Sequence, residues 1–346
     1  MKTGASLTTA LAAVLAAHLL AQPPGTPGAP PRWTQVTSGV TARLRGLSAP
    51  SARVIWASGT RGTVIRTADG GATWSHLEVP DSQSLDFRDI DAVDDRTAYV
   101  LSIGEGDASR IYKTSDAGRT WTLQFRNDNP RAFFDAMAFR DARNGFAVSD
   151  SVDRRMIVLT TTDGGARWSP VSSGLPPALE GEGAYAASGT NIAIAGRHVW
   201  IGTSASRVVR STDSGRTWTV TNTPLPASSS AGIFSIAFAD DKRGIVAGGD
   251  YKVESGAVNN AAITVDGGQT WTTVAGLGGF RSAVAFLPSR PGTVVAVGPS
   301  GADYSTDSGH TWTPIQGPGF HTLAVARGTR TVWGAGEKGM IGRIEF

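Results

Sequence analysis

Outside its first twenty residues the chain alternates short apolar runs with clusters of Gly, Asp, Ser and Thr, and hardly any stretch repeats at the 3.6-residue period of a helix. The runs are four to six residues long and rich in β-branched side chains, as in Val54-Ile55-Trp56-Ala57, Gly244-Ile245-Val246-Ala247 and Thr293-Val294-Val295-Ala296. Such runs bounded by turn formers read as short strands joined by tight connections. The pattern predicts an all-β chain.

One segment recurs six times, at 67–74, 114–121, 161–168, 211–218, 264–271 and 305–312, in the form S/T-x-D-x-G-x-T-W. Its aspartates are Asp69, Asp116, Asp163, Asp213, Asp266 and Asp307, and its tryptophans Trp74, Trp121, Trp168, Trp218, Trp271 and Trp312. Successive aspartates lie 41 to 53 residues apart, which suits a four-stranded propeller blade and is too short for an independent domain. The motif resembles the Asp box, or BNR repeat. Each copy follows one β-prone run and precedes another that opens at the Trp, so it connects two strands as a hairpin loop. Its Asp is expected to bind backbone N–H groups one or two residues on as an Asx-type turn, its Gly to supply φ > 0, and its Trp to cover the turn. Six equivalent carboxylates around a ring are structural staples; one catalytic or metal site has no use for six.

After the sixth motif come three more strand-like runs, near 321–326, 331–334 and 339–344. A seventh blade then lacks only its outer strand. Arg32-Trp33-Thr34-Gln35-Val36 has the look of a post-box strand, so the chain is expected to be a seven-bladed β-propeller of four-stranded antiparallel blades over 33–346, closed by its N-terminal strand. Six blades with free ends are the alternative.

Residues 1–21 carry Lys2 and then a mostly apolar stretch, the pattern of a secretory signal peptide, and 22–32 form a Pro/Gly-rich linker. The expected location is therefore periplasmic or extracellular, with an uncleaved anchor as the alternative. Cys is absent, which excludes disulfides and thiol chemistry. A net charge of +3 with 18% charged residues gives no basic tract, so no nucleic-acid partner is expected. His76, His198 and His310 have no second ligand at metal spacing, and the Gly-rich stretches open no helix; no metal and no cofactor are predicted.

The run Leu44-Arg45-Gly46-Leu47, then Val54 to Gly59, then Gly62 to Gly71 resembles the photosystem II stability/assembly factor family. The resemblance implies an exported seven-bladed propeller that binds a membrane protein as an assembly chaperone, located in a thylakoid lumen where the host is photosynthetic. That family's contact surface is arginine-rich; Arg45, Arg61, Arg88 and Arg110 echo it, interspersed with Asp89, Glu105 and Asp107. Sialidases share the box, but their Arg-Ile-Pro segment is missing, and the Tyr185–Glu182 and Tyr251–Glu254 pairs read as loop decoration. Xyloglucanases use two propellers in tandem, and sortilin-type receptors ten blades with Cys-rich modules.

Any ligand is expected on the face opposite the boxes, where blade-to-blade loops surround the channel mouth. The longest of these are 169–185, 222–232 and 248–260. Aligning the inner strands on Leu47, Ile90, Met137, Ile192, Ile236, Val284 and Leu323 places Arg45, Arg88, Asp135, Thr190, Phe234, Ser282 and His321 around that mouth, with Arg281 one step earlier and Glu182 on a nearby loop. Arg45, Arg88, Asp135, Glu182, Arg281 and His321 are the candidate ligand-binding residues, set against a balanced, solvated rim. The expected protein is a non-enzymatic, monomeric scaffold for a protein partner, such as a membrane protein or its exported segment, with a glycan-binding or sialidase-like hydrolase as the alternative.

Overall fold

A computed structural model describes residue 1, residues 30–171 and residues 174–346. The expected signal peptide and most of the linker fall at 2–29, outside the described residues. Among the described residues the strands form seven four-stranded antiparallel sheets. The first blade runs outward as Leu44–Ser48, Ile55–Gly59, Thr63–Thr67 and Ser75–Leu77. The inner strands of the next six are Asp86–Ala92, Phe134–Phe139, Ile192–Ala195, Ala231–Phe238, Ala283–Phe286 and Thr322–Val325. Each packs on the inner strands of its two neighbours, and the seventh on the first, so the ring is closed.

The closing strand is the expected one. Thr34–Val36 pairs with Ile341–Glu345 as the outer strand of the seventh blade. Trp33 packs on Phe320 with ring centroids 4.6 Å apart, which anchors this strand to the seventh blade's interior. The apolar core is divided into clusters lying between neighbouring sheets, each filled by side chains that alternate along the strands.

Five of the six boxes share one hydrogen-bond pattern in full, and it differs from the expected Asx turn. Asp69 Oδ1 accepts the N–H of Thr73, four residues on, at 2.9 Å, while Oδ2 accepts the Thr73 hydroxyl at 2.6 Å. The N–H groups near the start of the loop go instead to the first hydroxyl: Thr67 Oγ1 accepts Gly71 N–H at 3.0 Å and donates to Asp69. The carboxylate thus ties the loop end to end, a longer reach than a turn closed within two residues. Asp116, Asp213, Asp266 and Asp307 repeat both bonds to the closing Thr. Asp163 keeps only the backbone bond, because Arg167 stands where a hydroxyl is needed.

Each box Gly has φ between 83° and 94°, as the motif requires. A second reason for Gly lies in the preceding blade. A Cβ at Gly71 would collide with Trp333, at Gly118 with Leu77 and Trp56, and at Gly215 with Phe146. The box Trp meets the same aromatic edge-on, as in Trp74–Trp333, Trp121–Trp56 and Trp218–Phe146. The box is therefore an inter-blade clasp as well as a turn.

Candidate functional site

The channel end opposite the boxes is shaped by irregularities in the inner strands. Pairing of the first two strands skips Arg45 in blade 1, Arg88 in blade 2, Asp135 in blade 3 and Phe234 in blade 5. Each is the extra residue of a β-bulge, a device that re-aims one side chain without breaking the sheet. In the other three blades, Thr190, Ser282 and His321 stand just before the inner strand begins. The aligned ring is thus real as a row of positions, but its side chains do not share one environment.

The long loop into blade 4 crosses the channel. Arg45 Nη1 donates to the Ala187 carbonyl at 3.1 Å, and Arg88 Nη1 to the Ala186 carbonyl at 3.0 Å. Ser188 donates to the Ser282 carbonyl at 2.7 Å, Thr322 to the Ser188 carbonyl at 3.2 Å, and Thr190 to Ser235 at 2.7 Å. Gly189 lies where a Cβ would strike Asp89. Residues 185–190 therefore form a crossbar touching blades 1, 2, 5, 6 and 7. Below it is a cavity of about 500 Å³ lined by Leu47, Ile90, Met137, Ile192, Ile236 and Val284. Above it is the mouth, also about 500 Å³.

The mouth has two unlike walls. Arg43, Arg45 and Arg88 with His321 and Glu337 come from blades 1, 2 and 7; Tyr185, Phe234, Tyr251 and Phe280 come from blades 4 to 6, across the ring. Tyr185 stacks on Phe234 at 3.8 Å, and Phe280 meets Phe234 edge-on at 4.6 Å. On the other wall Arg88 Nε donates to Asp86 at 2.9 Å and Arg43 pairs with Glu337 at 2.7 Å. Burial, reinforced by the Arg88 charge, pushes Arg45 down to about 10, so it stays protonated at neutral pH. Burial and then Arg45 push His321 down to about 4, leaving a neutral imidazole whose Nε2 is 2.9 Å from Glu337. Among the described residues, Arg45 Nε and His321 Nδ1 are buried without a partner.

Of the six sequence candidates, Arg45, Arg88 and His321 line this mouth. The other three are anchors beneath the surface. Asp135 is 1% exposed, and burial followed by repulsion from Asp150 raises its carboxyl far above the ordinary range. Asp150 in turn accepts the Ala184 N–H at 2.9 Å. Burial works to raise Glu182, but Arg207, Thr203 and the Leu179 N–H outweigh it and hold the carboxylate low. Arg281 is buried with Asp303, its Nε donating at 2.7 Å. Arg61 sits in an exposed strand turn and Arg110 is engaged by Asp107, so neither joins the mouth. The aromatic wall and Arg43 were not among the candidates. Their signals in the sequence are Phe234 in the aligned ring and Tyr185 and Tyr251 standing on the two longest loops.

No protein-family model matches the chain, and no curated protein matches it. Solved structures do resemble it in fold. A YCF48 bound to D1 peptide is 17% identical with a TM-score of 0.66, covering 92% of this chain and 100% of its own. YCF48 from Cyanidioschyzon merolae is 17% identical with a TM-score of 0.62, covering 91% and 99%. A GH74 xyloglucanase from Xanthomonas campestris is 17% identical with a TM-score of 0.62; the match covers 90% of this chain and 53% of that enzyme. The chain thus has the fold of these YCF48 structures and of about half of a GH74 enzyme, and at this identity the likeness speaks to fold alone.

Proposed function

We propose that this chain is a non-enzymatic assembly scaffold that captures a protein partner, a membrane protein or its exported segment, by holding an acidic group in the mouth. The observation that carries the reading is the fixing of Arg45 and Arg88 by the crossbar carbonyls. Guanidinium groups already held in place lose little freedom when they bind a carboxylate, and Arg offers a planar fork that suits it. One protein of the same fold, YCF48, has been solved bound to D1 peptide, and peptide capture by that propeller lends this reading support. Arg88→Ala should abolish recovery of the partner from the organism's own envelope fraction while the chain still folds cooperatively, its melting temperature lowered only by the few degrees that the lost bonds to Ala186 and Asp86 cost. Undiminished recovery sinks the reading.

The xyloglucanase likeness supports a hydrolase only weakly. Most glycoside hydrolases, xyloglucanases among them, need two carboxyl groups facing one open space. The carboxylates lining the mouth are Glu254 and Glu337, and Glu337 is engaged by Arg43 and His321. Release of reducing sugar from xyloglucan or sialosides by the purified chain would reinstate the enzyme reading. Export to the periplasm or cell exterior, through removal of residues 1–21, belongs to the same proposal; N-terminal sequencing of the mature protein tests it.

A further inference from the structure

We propose that the aromatic wall selects among acidic partners: the mouth takes a peptide segment in which a carboxylate lies within one or two residues of an aromatic or large aliphatic side chain. This rests on the reading of the mouth as a carboxylate-binding site and adds its specificity. Cations and aromatics occupy opposite walls of one cavity, so a single guest meets both. The crossbar is its floor, so the guest enters and leaves on the same side and is held as a short segment. A volume of about 500 Å³ accommodates that and little more.

The aromatic wall is built and incompletely covered. Tyr185 and Phe234 lie parallel within 5°, and the Tyr185 hydroxyl reaches the Ser228 carbonyl at 3.4 Å, so neither ring needs ordering on binding. Tyr251 meets both edge-on, yet stays 44% exposed at the lip. A half-exposed Tyr backed by buried aromatics, facing fixed cationic groups across one cavity, has the composition of an interface anchor.

The test is fluorescence anisotropy on the full chain with labelled hexapeptide amides. The probe is Gly-Ser-Phe-Asp-Gly-Ser; one variant replaces its Phe by Ala, another its Asp by Asn, and a third, the free acid Gly-Ser-Gly-Ser-Asn-Phe, has no Asp and ends in a carboxylate on Phe itself. The first probe should bind best, and loss of either Phe or Asp should weaken binding roughly 10-fold or more. The third variant shows whether a chain-terminal carboxylate substitutes for the side chain; binding by either source supports the proposal. Tyr251→Ala, at a half-exposed position that leaves folding intact, should reproduce the Phe loss and add nothing to it. Equal binding of the Phe and Ala probes, with Tyr251→Ala neutral, removes the aromatic subsite while the carboxylate reading survives. Failure of every probe removes both. Displacement of the first probe by polygalacturonate but by none of the other peptides would overturn the proposal in favour of an acidic glycan.

Discussion

The two ends of the ring solve opposite problems with the same kind of residue. At the box end, aspartates are exposed or half-buried and their oxygens are spent on hydrogen bonds within a stereotyped loop. At the mouth end, Asp89 and Asp135 are buried, and each is tied to its own local surroundings. The hydrogen bonds from Thr120 hold Asp116 down to about 2, whereas burial, ahead of every other cause, raises Asp89 and Asp135. One end invests its carboxylates in repetition, the other in individual anchoring. Repetition secures the ring, and departure from repetition builds the pocket.

That contrast can be broken experimentally, most severely where both ends share a dependence. Deleting residues 31–37 removes the seventh blade's outer strand and the Trp33–Phe320 contact, opening the ring. We expect the melting temperature to fall by roughly 10 °C or more, measured by calorimetry. Next comes the mouth-side interior. Arg281→Ala strands the Asp303 carboxylate in an apolar surrounding and should cost about 3–5 kcal/mol in denaturant unfolding. Replacing the pair together, Arg281→Met with Asp303→Leu, should recover most of that loss.

At the box end, Gly71→Ala combines a left-handed backbone with a collision against Trp333, and should cost about 1–3 kcal/mol while leaving the mouth's ligand affinity untouched. Acid separates the ends by sign. The box aspartates are depressed when folded, so their contribution is complete above about pH 4 and lost as pH falls towards 2. Asp89 and Asp135 are raised when folded, so theirs is complete below about pH 4 and lost as pH climbs. Chemical denaturation at pH 7, 4 and 2.5 in Asp116→Asn and in the parent should show the variant's deficit shrinking as acid is added. The smallest effect is a gain: Arg167→Thr restores the hydroxyl missing from the third box, beside that blade's two-residue outer strand, and should raise the melting temperature by about a degree.

The ring was readable from the chain because its code is local and repeated. Thr67, Asp69, Gly71 and Trp74 fall within eight residues, and the same motif six times over fixes spacing, blade count and the need for a closing strand. Arg45 and Arg88 were legible as mouth residues because the inner strands align. Their bulges were not, since an extra residue in a strand leaves no mark on the apolar pattern. Glu182 and Arg281 misled for a related reason: their partners, Arg207 and Asp303, lie 25 and 22 residues away, across a turn whose course only coordinates reveal. The crossbar depends on contacts as far apart as Arg45 and Ala187.

Thr34–Val36 completes a sheet whose other members end at Glu345. A ribosome lays down this clasp before the first blade and its mate after all the other sheets, so while the blades are made the clasp waits with its backbone donors unclaimed. Circular closure is then a checkpoint on length: a product halted anywhere before Ile341 has no way to fasten, and an unfastened sheet margin is the kind of surface that proteases and aggregation find first.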